Sequence, residues 1–182
     1  MDKIYGFTHY SFFTEMSELA ARHGSFDLSL GLPDFDIDER LRVFLKEAAD
    51  EQTHHYEPLA GNPLLIESII RFNAKRIHKI SVTTSEVTVV PCATFALYTS
   101  LKSVLNQNDE VIIIQPSYYT YGPAVVMNGG TPVYYDLEEN FTINWDLFKN
   151  CITEKTKAVI VNSPQNQPEK YGQRKTGISY MN

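Results

Sequence analysis

The stretch "EVIIIQPSYYTYGPAVVMNGGTPVYYDL", residues 110–137, decides the fold class of this 182-residue chain. Its opening run Val111–Ile114 is apolar at every position, which is typical of a strand covered on both faces. A weaker helical pattern over 121–128 ends at the glycine pair 129–130, and an extended run follows at 132–137. A strand, a helix and a strand in this order predict a crossover between parallel strands.

Helical and extended patterns alternate through much of the remaining chain. Helices are expected at 12–23 before Gly24, at 39–51, from the Asn62-Pro63 cap to about Lys79, at 94–105 and at 145–152. Extended runs are expected at 86–90 and 157–162, and residues 158–161 are again apolar on both faces. The alternation predicts an α/β fold, a three-layer α/β/α arrangement around a mostly parallel sheet.

The composition limits the classes of function. Hydrophobic residues make up 43% of the chain and charged residues 21%, as in ordinary soluble proteins of one-domain length. A net charge of -6 argues against a nucleic acid or a membrane surface as partner and favours a small molecule or a protein. Cys92 and Cys151 lack metal-site spacing and are expected to be buried, reduced thiols. No signal-peptide or membrane-spanning pattern is visible, so the expected location is the cytoplasm.

The segment "VVPCATFAL", residues 89–97, joins an expected strand to an expected helix. The backbone N–H groups of Ala93 and Thr94 would open that helix and could bind a phosphate, because the first N–H groups of a helix have no intrahelical acceptor. The Thr94 hydroxyl could add a further hydrogen bond. The alternative is that Thr94 only caps the helix, as threonine commonly does.

Two further segments follow expected strands. In "PSYYTY", residues 116–121, an aromatic ring could lie on a planar heterocycle, although aromatic residues at such places more often pack in cores or on surfaces. In "NSPQN", the amides of Asn162 and Asn166 could bind a ligand or could satisfy backbone groups of the turn. No residue spacing indicates a catalytic triad, and no GxGxxG pattern supports a dinucleotide site.

Five motifs in this order resemble the N-terminal half of the fold-type I, pyridoxal-phosphate-dependent aminotransferases. The resemblance is closest to the class I/II group, which includes methionine and kynurenine aminotransferases, and it runs from about Ser11 to Asn166. The motifs are "LSLGLPDFD" (28–36), "HHYEPLAGNPLL" (54–65), "PCATFAL" (91–97), "DEVIIIQPSYYTY" (109–121) and "NSPQN" (162–166). The resemblance implies part of the large cofactor-binding domain of these enzymes, and amino-group transfer between an L-amino acid and a 2-oxo acid.

The resemblance also implies a set of residues that bind pyridoxal 5'-phosphate. Ala93 and Thr94 would hold the phosphate, Tyr118 would stack on the pyridine ring, and Asn166 would hydrogen-bond the phenolic oxygen. Tyr56 would reach the phosphate in the neighbouring subunit, which implies a homodimer.

The resemblance implies one residue that contacts the substrate, and the sequence departs from the family pattern at two positions. Gly31 would let the backbone approach the substrate carboxylate closely. The family usually has glycine and glutamate where this sequence has Cys92 and Phe95, and a Cβ at Cys92 is expected to crowd the phosphate loop. Weakened or absent cofactor binding is therefore expected.

The pattern changes after Asn166, where the family continues with Pro-Thr-Gly-Lys. Residues 167–182 are instead polar and aperiodic. Adding one base to a permitted set of codons for this tail restores Pro-Thr-Gly-Lys and a helical pattern, so a frameshift is our hypothesis, and the codons of the gene test it. The expected organisation is an N-terminal segment 1–40 from the small domain and arm, a partial cofactor-binding domain 41–166 and an aberrant tail 167–182.

The family residues that perform the chemistry lie beyond Asn166. They are the aspartate that pairs with the pyridine nitrogen, the lysine that binds the cofactor covalently and the arginine that binds the substrate carboxylate. Lys170 and Lys175 follow Asn166 too closely to take the place of that lysine, so no catalytic residue is assigned, and these residues alone are expected to be inactive. The alternatives are part of a pyridoxal-phosphate-dependent carbon-sulfur lyase, or a non-catalytic remnant that pairs with intact subunits.

Overall fold

A computed structural model describes residues 12–51, 55–75 and 81–164. The chain divides into two compact units, residues 1–56 and 57–182. The first unit contains two helices, α1 (Phe12–His23) and α2 (Glu39–Asp50), at the positions that the sequence predicts. None of the helices in the described ranges is long and apolar enough to cross a membrane.

The end of α1 is set by Gly24, the residue predicted to cap it. Gly24 has a φ of 59°, in the left-handed region that glycine adopts without a steric penalty. Its N–H donates to the carbonyl of Ala21 at 3.2 Å, and the N–H of Ser25 donates to that of Ala20 at 3.0 Å. These two bonds are those of a Schellman motif, which satisfies the last carbonyl groups of the helix.

The second helix is capped at its start and exposed along its apolar face. The side chain of Asp38 accepts the N–H of Arg40 at 2.9 Å, which satisfies one of the first unpaired donors of α2. The predicted apolar face includes Leu41, Phe44 and Leu45, which are 58%, 61% and 70% exposed. This face is therefore largely uncovered.

The second unit begins with α3 (Pro63–Ala74), whose cap is Asn62, as predicted. The Asn62 Oδ1 accepts the N–H of Leu64 at 2.9 Å. The described helix runs to Ala74, and the predicted end near Lys79 lies outside the described residues. The chain continues through α4 (Ala93–Val104), β1 (Glu110–Gln115), α5 (Tyr121–Met127), β2 (Thr131–Asp136), α6 (Trp145–Asn150) and β3 (Thr156–Ile160).

The three strands form one parallel sheet in the order β2-β1-β3. Ile112 in the central strand lies opposite Val133 of β2 and Val159 of β3. The chain moves from β1 to its neighbour β2 in one direction across the sheet. It then returns past β1 to β3 in the opposite direction. Right-handed crossovers then place α5 and α6 on opposite faces, which confirms the predicted α/β fold with a parallel sheet.

Each face of β1 packs against a helical layer. On one face, Val111 and Ile113 form a core cluster with Leu101 of α4 and with Ala124 and Val125 of α5. On the other face, the cluster consists of Ile112, Ile114, Tyr135 and Phe148, the last of which belongs to α6. Val111, Ile112 and Ile113 have no exposed surface, so the three-layer arrangement is centred on β1.

The prediction of a strand at 86–90 is wrong as regards pairing. Residues Thr84–Glu86 form a 3-10 turn, in which the Glu86 carboxylate accepts the N–H of Thr83 at 2.8 Å. Residues 87–90 follow outside any sheet, and the N–H of Val89 donates instead to the carbonyl of Ala60 at 2.8 Å. Within the described ranges, no strand pairs with this segment.

The expectation that residues 158–161 are covered on both faces is also wrong. Ala158 and Ile160 pack on the cluster formed with α4 and α5. Val159 on the opposite face is 39% exposed, and Val161 is 68% exposed. The reason is the position of β3 at the sheet edge, because α6 covers β1 and β2 instead.

Replacing Ile112 with alanine tests the central position of β1. The variant Ile112→Ala should lower the free energy of unfolding by about 2–5 kcal/mol, since it removes a fully buried side chain and leaves a cavity. Val159→Ala, on the same face and partly exposed, should cost less than about 1 kcal/mol. Urea unfolding monitored by the fluorescence of Trp145, which packs against Phe148, measures both. Equal losses in the two variants would contradict this account of the core.

Candidate active site at the carboxyl edge of the sheet

Three segments lie at the carboxyl edge of the sheet. The ends of β1 and β3 share this edge because the two strands are parallel neighbours. The 12-residue helix α4 packs on β1 and is joined to it by a short turn, so it runs in the opposite direction. Its length of about 18 Å is close to that of the strand, and its N-terminus therefore lies near the same edge as the loops 116–120 and 161–164.

The start of α4 presents unpaired N–H groups. Cys92 is the N-cap and makes no side-chain capping bond, and the first intrahelical bond runs from the N–H of Ala96 to the carbonyl of Cys92 at 2.9 Å. The N–H groups of Ala93, Thr94 and Phe95 have no acceptor among the described residues. Together with the helix dipole they favour an anion at this end. Ala93 and Thr94 are exposed, so an anion can reach them.

Thr94 is the second residue of α4 and not its N-cap, so the alternative that it merely caps the helix is wrong. Its side chain is exposed and has no hydrogen bond to the part of the chain that the structure describes. Thr99 in the same helix differs, because its hydroxyl donates to the carbonyls of Phe95 at 2.9 Å and Ala96 at 3.1 Å. The Thr94 hydroxyl is thus available to a ligand at the helix start.

Cys92 fits the backbone at the start of α4. Its φ of -164° and ψ of 167° are extended values that any residue adopts, so the position does not require glycine. The prediction of buried thiols is wrong: Cys92 is exposed, and Cys151 is only half-buried. Phe95, where the resemblance leads one to expect glutamate, is 47% exposed.

Tyr118 lies in the loop that follows β1. Its half-buried ring packs edge to face against Tyr119, with centroids 4.9 Å apart, and against Tyr121 at 6.0 Å. Burial, with smaller contributions from Tyr119 and then Tyr121, raises the pKa of Tyr118. Burial also raises the pKa of Tyr121. Both phenols are therefore neutral near pH 7, and the loop supplies an uncharged aromatic surface.

The structure tests only one of the two asparagines that the sequence analysis offers as possible ligand-binding residues after β3. Asn162 donates its side-chain amide to the carbonyl of Pro164 at 3.0 Å, as the alternative of a satisfied turn predicts. Asn166 lies outside the described residues, as do Lys170 and Lys175.

Gly31 and Tyr56 belong to the first unit. Gly31 is exposed, does not have a left-handed φ, and has no atom within 4 Å of the place that a Cβ would take. Neither backbone nor packing within the described residues requires glycine there. The Tyr56 side chain is fully exposed. An open cavity of about 530 Å³ between α1 and residues 25–29 is lined mainly by apolar side chains, and Gly31 is not among them.

Two buried polar groups at the ends of α5 were missed by the sequence analysis. Within the described residues, the Thr120 Oγ1 before α5 and the Asn128 Oδ1 after it have no hydrogen-bond partner. The sequence showed Asn128 only as the last position of a helix before two glycines. Its burial depends on the packing of α4 against α5, which the pattern of a single segment does not reveal.

The described part of the carboxyl edge suits a planar molecule that carries a phosphate. The start of α4 supplies N–H donors and a hydroxyl for the anion, and the loop of Tyr118 supplies an aromatic surface. The described residues contain no group of three or more histidine, cysteine or acidic side chains that could hold a metal ion.

Similarity to known proteins shows the family to which this chain belongs. Residues 24–167 match the family described as aminotransferase class I and II. The chain is 34% identical over 155 residues to the methionine aminotransferase of Escherichia coli K12, covering 85% of this chain and 40% of the relative. It is 39% identical over 163 residues to the aspartate aminotransferase of Bacillus subtilis, covering 88% and 39%.

A solved structure supports the same relationship. The crystal structure of YbdL from Escherichia coli, for which a methionine aminotransferase function was identified, superimposes with a TM-score of 0.86 at 32% identity. The match covers 91% of this chain and 44% of that chain. This chain thus spans about two fifths of the length of its relatives. It belongs to the class I and II aminotransferases, which are pyridoxal-phosphate-dependent enzymes of fold type I, and it corresponds to the N-terminal portion of that fold.

Proposed function

We propose that the carboxyl edge of this sheet is the cofactor-binding part of a pyridoxal-phosphate-dependent aminotransferase, which transfers an amino group between an L-amino acid and a 2-oxo acid. The observation that carries the proposal is the row of three unpaired N–H groups at the start of α4. A phosphate monoester carries a charge that such a row binds well. The exposed Thr94 hydroxyl supports the same role, and the extended backbone at Cys92 leaves the helix start intact.

The remaining residues complete the proposed site. The neutral, half-buried ring of Tyr118 would stack on the cofactor ring, and Asn166 would hydrogen-bond its phenolic oxygen. When bound, pyridoxal phosphate supplies an electron-accepting ring that stabilises negative charge on the α-carbon of the amino acid. Stacking fixes the plane of that ring, while the start of α4 fixes the phosphate, so the described residues orient the cofactor.

The first unit would contribute to substrate binding and to the cofactor site of a second subunit. Gly31, with open space in place of a side chain, would let the backbone approach the substrate carboxylate. The fully exposed Tyr56 would reach the phosphate bound by the partner of a homodimer. We keep the division into segments 1–40, 41–166 and 167–182, and the cytoplasmic location, as parts of the same proposal.

The exposed Thr94 hydroxyl gives a direct test of the phosphate site. Thr94→Val should weaken the binding of pyridoxamine 5'-phosphate about tenfold or more, because it removes a hydrogen bond to a charged group. Binding of pyridoxamine, which lacks the phosphate, should not change. Thr99→Val is the matched control, since that hydroxyl bonds within α4. Fluorescence titration measures both affinities for each variant and for the unaltered chain, and a Thr94→Val variant that retains full affinity for the phosphate form would contradict the proposal.

We also propose that these 182 residues alone do not catalyse transamination, because they offer no lysine at the place where the family binds the cofactor covalently. Incubation with pyridoxal phosphate followed by borohydride should give no single, stoichiometric lysine adduct. An amino acid with 2-oxoglutarate should give no turnover. A unique adduct with turnover would overturn the inactive interpretation, whereas thiol release from a sulfur amino acid would favour the carbon-sulfur lyase.

A further inference from the structure

Asn128 is a buried polar residue in the second unit that the cofactor site described above does not use. It is 6% exposed and follows the last residue of α5. Its Nδ2 donates to the carbonyl of Ala124 at 2.8 Å within α5 and to the carbonyl of Tyr98 at 3.2 Å in the middle of α4. The side chain therefore ties two helices that lie on the same face of the sheet.

Apolar side chains also join these helices. Leu97 and Leu101 of α4 belong to the same cluster as Tyr121 and Val125 of α5. Apolar contacts are non-directional, whereas a hydrogen bond has a preferred distance and angle. Within the described ranges, the bond from Asn128 to Tyr98 is the only hydrogen bond that joins α4 to α5.

The position of this bond relates it to the cofactor site. Tyr98 is five residues beyond Ala93, which is about 7.5 Å along the helix axis from the unpaired N–H groups. The other helix, α5, begins three residues after Tyr118. Sliding of α4 along α5 would thus change the spacing between the phosphate-binding N–H groups and the aromatic ring.

We propose that Asn128 is a positioning residue that fixes the axial register of α4 against α5, and thereby the spacing between the phosphate donors at the start of α4 and the ring of Tyr118. The inference rests on the proposed function of this edge. Asn128 does not touch the cofactor. It acts through the helix that carries the donors, and its effect is on ligands that engage the phosphate donors and the ring together.

Replacing Asn128 with leucine separates this role from stability. Leucine has a similar size and removes the two donated hydrogen bonds, and it also removes the unpaired, buried Oδ1. Removing the unpaired Oδ1 stabilises the fold, because a buried polar atom without a partner is costly. This gain offsets part of the stability that is lost with the two hydrogen bonds. The fold should therefore persist while the register between the helices loosens.

The experiment compares the dissociation constants of pyridoxamine and pyridoxamine 5'-phosphate for each variant of the full chain. The dissociation constant of pyridoxamine divided by that of pyridoxamine 5'-phosphate gives the gain in affinity from the phosphate. This ratio reports how well the phosphate donors are placed relative to the ring site. In Asn128→Leu the ratio should fall about tenfold, the loss expected for one charge-assisted hydrogen bond. Asn73→Leu makes the same change in α3, where the side chain has no hydrogen bond to the described residues, and should keep the ratio.

A second variant and a stability measurement make every outcome decisive. Asn128→Ala removes the same bonds without adding a branched side chain, and circular dichroism with urea unfolding shows whether each variant folds. An unchanged ratio in both folded variants, a parallel fall of both affinities, or unfolding of both variants would each overturn the positioning role. If the unaltered chain does not distinguish the two ligands, the proposed phosphate site itself fails.

Discussion

Burial of Val111–Ile114 between two helical layers is the constraint on which the rest of the second unit depends. Three of these four side chains have no exposed surface, because alternate residues point into the two layers. A strand buried in this way needs strands on both sides and helices above and below. The crossovers that supply them, from β1 to β2 and from β2 back to β3, make all three strands parallel.

Parallel strands then determine where a ligand site can form. All carboxyl ends lie at one edge, and a helix that precedes the central strand must start near that edge. The start of α4 therefore brings its unpaired N–H groups close to the loop of Tyr118, although 25 or so residues of chain separate them. The match to the class I and II aminotransferases extends over residues 24–167, which include both segments.

Local signals made much of this fold predictable from the sequence. The cap at Asn62 and the left-handed Gly24 act through bonds to nearby residues, so a short segment contains the whole cause. The Schellman motif that ends α5 is also local, since the N–H groups of Gly129 and Gly130 donate to carbonyls of the last turn of that helix. The apolar run of β1 is buried on both faces as predicted, although the similar run at 158–161 is not.

The main failures concern contacts with distant residues. Whether 86–90 pairs as a strand depends on a partner strand, and whether Val159 is covered depends on which strands α6 spans. The same holds in the candidate site. The resemblance identified Thr94 and Tyr118 as candidates, but the burial of Asn128 arises only when α4 packs on α5.

The central claim is that the start of α4 is an anion site that recognises a phosphate. Titration of the isotopically labelled chain with pyridoxamine 5'-phosphate, followed by amide NMR, tests it most directly. The account predicts that the amide resonances of Ala93, Thr94 and Phe95 shift together, with one dissociation constant, and that pyridoxamine without phosphate leaves them nearly unchanged. Shifts confined to other residues, or equal shifts with both ligands, would contradict it.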